Sequence, residues 1–196
     1  PEESRKQERE AFLYPPLVGW LQSAKWRASI TANAKKGGVW GNPDVTGLRI
    51  VDGFAGQKDV EITTIEAKVS RRQWKREFFE AVSHRRFAHR AYFAFAEGSD
   101  DPSLEKLLHK EELRSYGERF SVGILVIFIP VKLYQDLLKE NTTALTLGLD
   151  DIRVEELWPA VYENVTPKAV RDFLTDVCEI KDDSGLYLFG SDPNDA

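Results

Sequence analysis

The stretch Val60-Glu-Ile-Thr-Thr-Ile-Glu-Ala-Lys-Val69 decides how the chain is read. It is rich in β-branched residues, and a basic, aromatic segment follows at once, so it reads as a strand leading into a helix. Alternate side chains of a strand share a face, which points Glu66 and Lys68 one way and Ala67 the other. Upstream, the turn-rich run Gly41-Asn-Pro-Asp-Val-Thr-Gly47 carries Asp44, with Pro43 fixing the chain and aiming the carboxylate into a cleft. Two carboxylates and an ammonium brought together there can hold a hard divalent cation and handle an attacking water.

Residues 45–51 form a second β-rich run, separated from 60–69 by Asp52-Gly-Phe-Ala-Gly-Gln-Lys-Asp59, so the two read as a hairpin. Pro15-Pro16 ends a charged, helix-prone segment over 2–13 and opens a helix through Leu21. Trp26, Ala28 and Ile30 alternate with polar residues, as in a strand or an extended linker. Gly37-Gly38, followed by Gly41, marks a turn rather than a nucleotide fingerprint.

Downstream, residues 71–90 have helical character. At about 100° per residue, Trp74, Phe78, Ala81 and Ala88 fall near one line, and Arg72, Arg76, Arg86 and Arg90 cluster opposite. Arg85 falls within the apolar face, costly unless it meets a phosphate or a carboxylate. Strands are expected at 92–96 and 120–129, helices at 102–116, 131–139 and 167–177, and a terminal hairpin at 180–189. The order helix, strands, helix, strand, helix, strand predicts an α/β sandwich. Its central sheet would mix antiparallel hairpin strands with later parallel ones.

With 196 residues, 42% hydrophobic and 30% charged, the composition is that of one ordinary globule. The net charge of −5 hides an asymmetry. Between Lys68 and Arg90 stand eight Lys or Arg and two acids, which is +6; the remainder therefore carries −11. A single-signed patch in an acidic protein points to nucleic-acid contact. Cys178 stands alone, which excludes an internal disulfide framework and reads as a buried thiol. No signal peptide or spanning run is seen, which predicts a cytoplasmic protein with no membrane partner. The chain has no methionine and starts at Pro1, so it reads as a trimmed chain or as a piece of a longer protein.

On Pro43-Asp44, Glu66-Ala67-Lys68, the 22-residue spacing of the acids and the order of elements, the chain resembles the PD-(D/E)XK nuclease superfamily. The resemblance implies a restriction-endonuclease-like αβββαβ core over residues 1–140, with 141–196 a C-terminal extension packed on the same domain. It implies a DNA endonuclease using Mg²⁺, or Mn²⁺ in its place, in bacterial restriction or mobile-element defence. Asp44, Glu66 and Lys68 would be catalytic. The metal would be held by Asp44, Glu66, the carbonyl of Ala67 and a helix glutamate, Glu10 with Glu8 as runner-up. Lys68 would orient or deprotonate the water, or stabilise the phosphorane. Arg71, Arg72, Arg76, His84, Arg85, Arg86 and Arg90 would face the nucleic acid, with His84 near the place of the family's helix glutamine. Double-strand cutting would favour a homodimer, and further domains or subunits of a defence system are expected partners. Three other readings stay open: a non-catalytic DNA-binding or assembly module, an RNase or a domain acting on single strands, and a protein-interaction domain whose Asp44 and Glu66 lie far apart.

Overall fold

The computed structural model describes residues 9–34, 42–52, 58–139 and 152–191. Glu8, the glycines of 37–41, the tip of the 52–59 segment and residues 140–151 lie outside the described residues. A single turn of 3-10 helix, Ala11–Leu13, leads into α1, Tyr14–Ser23, with the two prolines in its first turn. A missing N–H costs nothing there, because the first amides of a helix have no intrahelical partner. Then come β1, Arg27–Ile30, β2, Val45–Asp52, and β3, Lys58–Lys68. α2, Trp74–Ser83, continues as a 3-10 turn over His84–Arg86 and delivers the chain to β4, Arg90–Gly98. The rest is α3, Lys110–Phe120, β5, Gly123–Ile129, α4, Val131–Leu138, β6, Arg153–Trp158, α5, Pro167–Asp176, and α6, Asp183–Leu188.

All six strands form one sheet in sequence order. β1, β2 and β3 pair antiparallel, β3, β4 and β5 pair parallel, and β6 runs antiparallel to β5. The mixed α/β sheet flanked by helices is thus as expected. β4 and β5 are apolar on both faces because helices cover both. Tyr92, Ala94, Ala96, Leu125, Ile127 and Ile129 pack against Leu13, Leu17 and Leu21 of the α1 region and Leu137 of α4. Phe93, Phe95, Ile124, Val126 and Phe128 pack under Trp74, Phe78 and Ala81 of α2 and Leu113 of α3. Each fully buried Phe or Leu here contributes about 1.5–3 kcal/mol relative to exposure.

Four local readings are corrected. The segment 102–116 is not one helix: a 3-10 turn at Leu104–Lys106 precedes an extended Leu107 and a left-handed His109, and α3 starts only at Lys110. The 120–129 strand starts late, at Gly123, because α3 runs on to Phe120 and Ser121 is left-handed. β6 falls between the helices expected at 131–139 and 167–177, where no element is expected. In place of the terminal hairpin at 180–189 stands α6, started by the Asp182 carboxylate accepting from the Gly185 N–H at 3.0 Å. Phe173 of α5 and Ile180 pack on Leu48 and Ile62 of the β2–β3 hairpin, with Phe87 stacked on Phe173 at 4.5 Å. At Gly190, φ is +70° and a Cβ would collide with the Ala28 backbone of β1, so only glycine fits that close approach. Among the described residues, no helix is long and apolar enough to cross a membrane.

Candidate active site

Charges gather at the C-terminal end of β3. Glu66 and Lys68 leave the strand on the α2 side, beside Phe93 and Phe95 of β4, while Ala67 packs on the α1 side. Asp44 immediately precedes β2, and its N–H donates to the Ile65 carbonyl at 3.1 Å. Its carboxylate accepts the Ala67 N–H at 2.7 Å and the Tyr14 hydroxyl at 2.7 Å. The side chain of Asp44 thus replaces the ladder partner that β2 no longer offers to Ala67. Because a strand residue turns its N–H and C=O to the same neighbour, the Ala67 carbonyl lies on that side too.

Lys68 Nζ is 2.5 Å from Glu66 Oε1, 2.8 Å from Glu80 Oε2 and 3.8 Å from Glu10 Oε1. His84 Nε2 lies 3.7 Å from Glu66 Oε2. These are interior charges: Glu10 is 6%, Asp44 7%, Glu66 6% and Lys68 4% exposed. Burial pushes the Asp44 carboxyl up, against the Ala67 N–H, Tyr14 and Lys68, which pull it down. Burial and the Asp44 charge hold Glu66 well above the usual carboxylate range. Burial opposes the Lys68 ammonium, but Glu66, Glu10 and Glu80 outweigh it and raise its pKa. Burial takes His84 down to about 3, so the imidazole is neutral and its contact with Glu66 is not an ion pair.

Glu10, Asp44, Glu66 and Glu80 therefore gather around one ammonium. The pocket's donors are all oxygens, the set that suits Mg²⁺ or Mn²⁺. Among the described residues, no three His, Cys, Asp or Glu side chains already converge as a preformed metal cage would. The Asp44 oxygens face Tyr14 and Ala67, and those of Glu66 face Lys68 and His84. The chemistry fits a hard cation, and seating one requires these side chains to turn. A cavity of about 370 Å³ opens on Lys68 and Glu10 and is walled by Arg9, Arg72, Gln73 and Glu77. A larger cleft of about 480 Å³ between the β2–β3 hairpin and α5 and α6 lies away from these charges.

The structure thus brings together Asp44, Glu66, Lys68, Ala67 and Glu10, with His84 behind Glu66. Asp44 and Glu66 are not far apart, which removes the condition that favoured an incidental Glu-x-Lys. The arginine stripe is not formed. The α-helix ends at Ser83, Arg86 sits on the 3-10 turn, and Arg90 begins β4, where it pairs with Glu61 at 2.9 Å. Arg71 is held by Glu97 at 2.9 Å and donates to the Leu108 carbonyl at 2.6 Å. Arg85 meets a carboxylate rather than open solvent: it pairs with Glu163 and donates to the carbonyls of His89 at 3.1 Å and Val161 at 3.0 Å. His84, 2% exposed, faces the site's interior. Arg72, Arg76 and Arg86 remain at the surface.

Sequence reading misses Tyr14 and Glu80. Glu10 and Tyr14 stand four apart, as do Glu80 and His84, the spacing that stacks side chains on one helical face. By sequence alone, Glu80 is only an acid within a basic run. Cys178 is half-buried in the C-terminal cluster, and burial raises its thiol to about 12, an inert state. No protein-family model matches this chain, and neither a curated protein nor a solved structure matches it.

Proposed function

We propose that the chain is a metal-dependent DNA endonuclease of PD-(D/E)XK type, built on a restriction-endonuclease-like core and working with Mg²⁺ or Mn²⁺. The observation that carries this reading is the convergence of Asp44, Glu66 and Lys68 in one buried pocket, at the end of the third strand of a helix–strand–strand–strand–helix–strand order. Taking several charges out of water costs several kcal/mol per ion, and folds carry such clusters mainly where chemistry needs them.

Asp44, Glu66 and the Ala67 carbonyl would hold the ion, with Glu10 and Glu80 close enough to Lys68 to complete the oxygen set. When bound, the ion supplies a charge sink for the phosphorane and a more acidic water. Tyr14 and the Ala67 amide keep the Asp44 carboxylate in one orientation. Lys68, ringed by carboxylates, serves as an ammonium that stabilises developing phosphoryl charge rather than as a base. Cutting both strands would call for two copies, and a role in restriction or mobile-element defence, with further domains or subunits as partners, is part of the same proposal.

The test is cleavage of supercoiled plasmid with Mg²⁺ by the wild type and by Asp44→Ala, Glu66→Gln and Lys68→Ala, with thermal melts confirming folding. Each variant should lose at least about a hundredfold in rate. Chelation should stop the wild type, and added Mg²⁺ should restore it. Full activity in any folded variant overturns the assignment. Salt-sensitive DNA binding with no cleavage would point instead to the non-catalytic binding module.

A further inference from the structure

A second groove continues from the Lys68 cavity, sharing Ser70, Arg72 and Gln73 with it. It is about 700 Å³, follows the first turn of α2 past Trp74, Lys75 and Arg76, and is closed on the far side by Leu108 and His109. Arg71 ties the two walls together through the Leu108 carbonyl and is itself fixed by Glu97. Lys75 is held by Glu112 at 2.5 Å, which leaves Arg72 and Arg76 as exposed guanidinium groups with no carboxylate partner among the described residues. Opposite them stands Leu108, 69% exposed, an apolar side chain set on the rim of a basic channel. His109 beside it has φ of +59°.

We propose that this groove holds a single strand of nucleic acid, carrying its backbone across Arg72 and Arg76 to a phosphate at Lys68. The proposal rests on the nuclease reading and adds the form of the substrate. Guanidinium groups pair with phosphates through parallel hydrogen bonds. Leu108 gives an unstacked base or sugar an apolar surface. The volume is of the size that encloses a small ligand, room for one or two nucleotides. A duplex keeps its bases paired and stacked and would leave the Leu108 rim without a contact. The favoured substrate is therefore DNA with a frayed, gapped or flapped strand beside the scissile bond. An acidic peptide would use the arginines but not the apolar rim.

Fluorescence anisotropy in EDTA separates binding from cleavage. A short labelled oligothymidylate should bind the wild-type chain more tightly than a duplex of equal length. The double variant Arg72→Glu/Arg76→Glu should weaken it at least tenfold, and Leu108→Asp severalfold. Both sites are exposed, and melting curves check that the variants fold. The slope of log K against log salt should shrink by about 0.7 for each phosphate the variant no longer neutralises. The groove is refuted if the double variant binds the oligonucleotide unchanged, if the duplex binds at least as well, or if a polyglutamate peptide competes equally. Groove-dependent binding by a wild type that never cuts DNA would overturn the nuclease reading and leave the groove standing. Asp44-dependent cutting with no effect of the groove variants would do the reverse.

Discussion

The two ends of β3 are made of the same residue types and treat them in opposite ways. At one end Glu61 pairs with Arg90 at 2.9 Å, part-buried and reached by water. At the other, Glu10, Asp44, Glu66 and Lys68 sit in the interior, and the half-exposed Glu80 reaches in to Lys68 at 2.8 Å. The first pair is bland surface electrostatics. The second is a concentration of buried charge that a stability-driven fold would have replaced by apolar residues. Pairing type alone does not separate these sites; burial and the number of carboxylates around one cation do.

That contrast can be broken or sharpened by experiment. Tyr14→Phe removes a buried hydrogen bond to a carboxylate and should cost about 1.5–3 kcal/mol of stability by denaturant titration. Tyr14 positions Asp44, so the same variant should lower kcat more than it changes KM; unchanged kcat would deny Tyr14 that role.

The solvated end supplies a pH test. The Ile62 N–H donates to His89 Nδ1 at 3.0 Å, and burial lowers the His89 pKa, with Glu61 opposing and Arg90 and Arg85 reinforcing. A histidine depressed in the folded state gives stability that is present above its unfolded pKa, near 6.5, and lost as pH falls toward the folded value. Its share of the loss should be at most about 1.4 kcal/mol per pH unit. His89→Asn should flatten that part of the profile, and an unchanged slope would remove His89 from the account.

A smaller effect is expected of opposite sign at the two ends. Glu66→Gln relieves crowded negative charge and should raise stability by about 1 kcal/mol at neutral pH while abolishing cleavage, the trade expected of a functional site. Glu61→Gln only loses an ion pair and should cost no more than about 1 kcal/mol. If both variants shift melting in the same direction, the distinction drawn between the ends is wrong.

The sheet is legible because its signals are local. The β-branched run ending in Glu66-Ala67-Lys68 and the apolar strands at 92–96 and 120–129 each declare themselves through periodicity. β6 does not, since Arg-Val-Glu-Glu-Leu-Trp shows no clean alternation and lies at the sheet's edge, where only one neighbour constrains it. α6 is hidden because Gly185 suggests a turn, whereas its amide is what Asp182 caps. Of the site, Asp44, Glu66 and Lys68 follow from spacing. Glu80 and Tyr14 come from helices whose facing toward the pocket depends on tertiary packing, and no periodicity points at a particular carboxylate across a fold. The arginine stripe fails for the same reason: it needs one continuous helix, and α2 gives way to a 3-10 turn and then β4.

The close approach of Gly190 to Ala28, with Arg27 donating to the Tyr187 carbonyl, means that the end of α6 and the residues just past it shield the outermost strand. A rim of open amides invites stacking between molecules. Cutting the chain ahead of Tyr187 would uncover that rim, so a shortened protein should lose its colloidal solubility before it loses its fold.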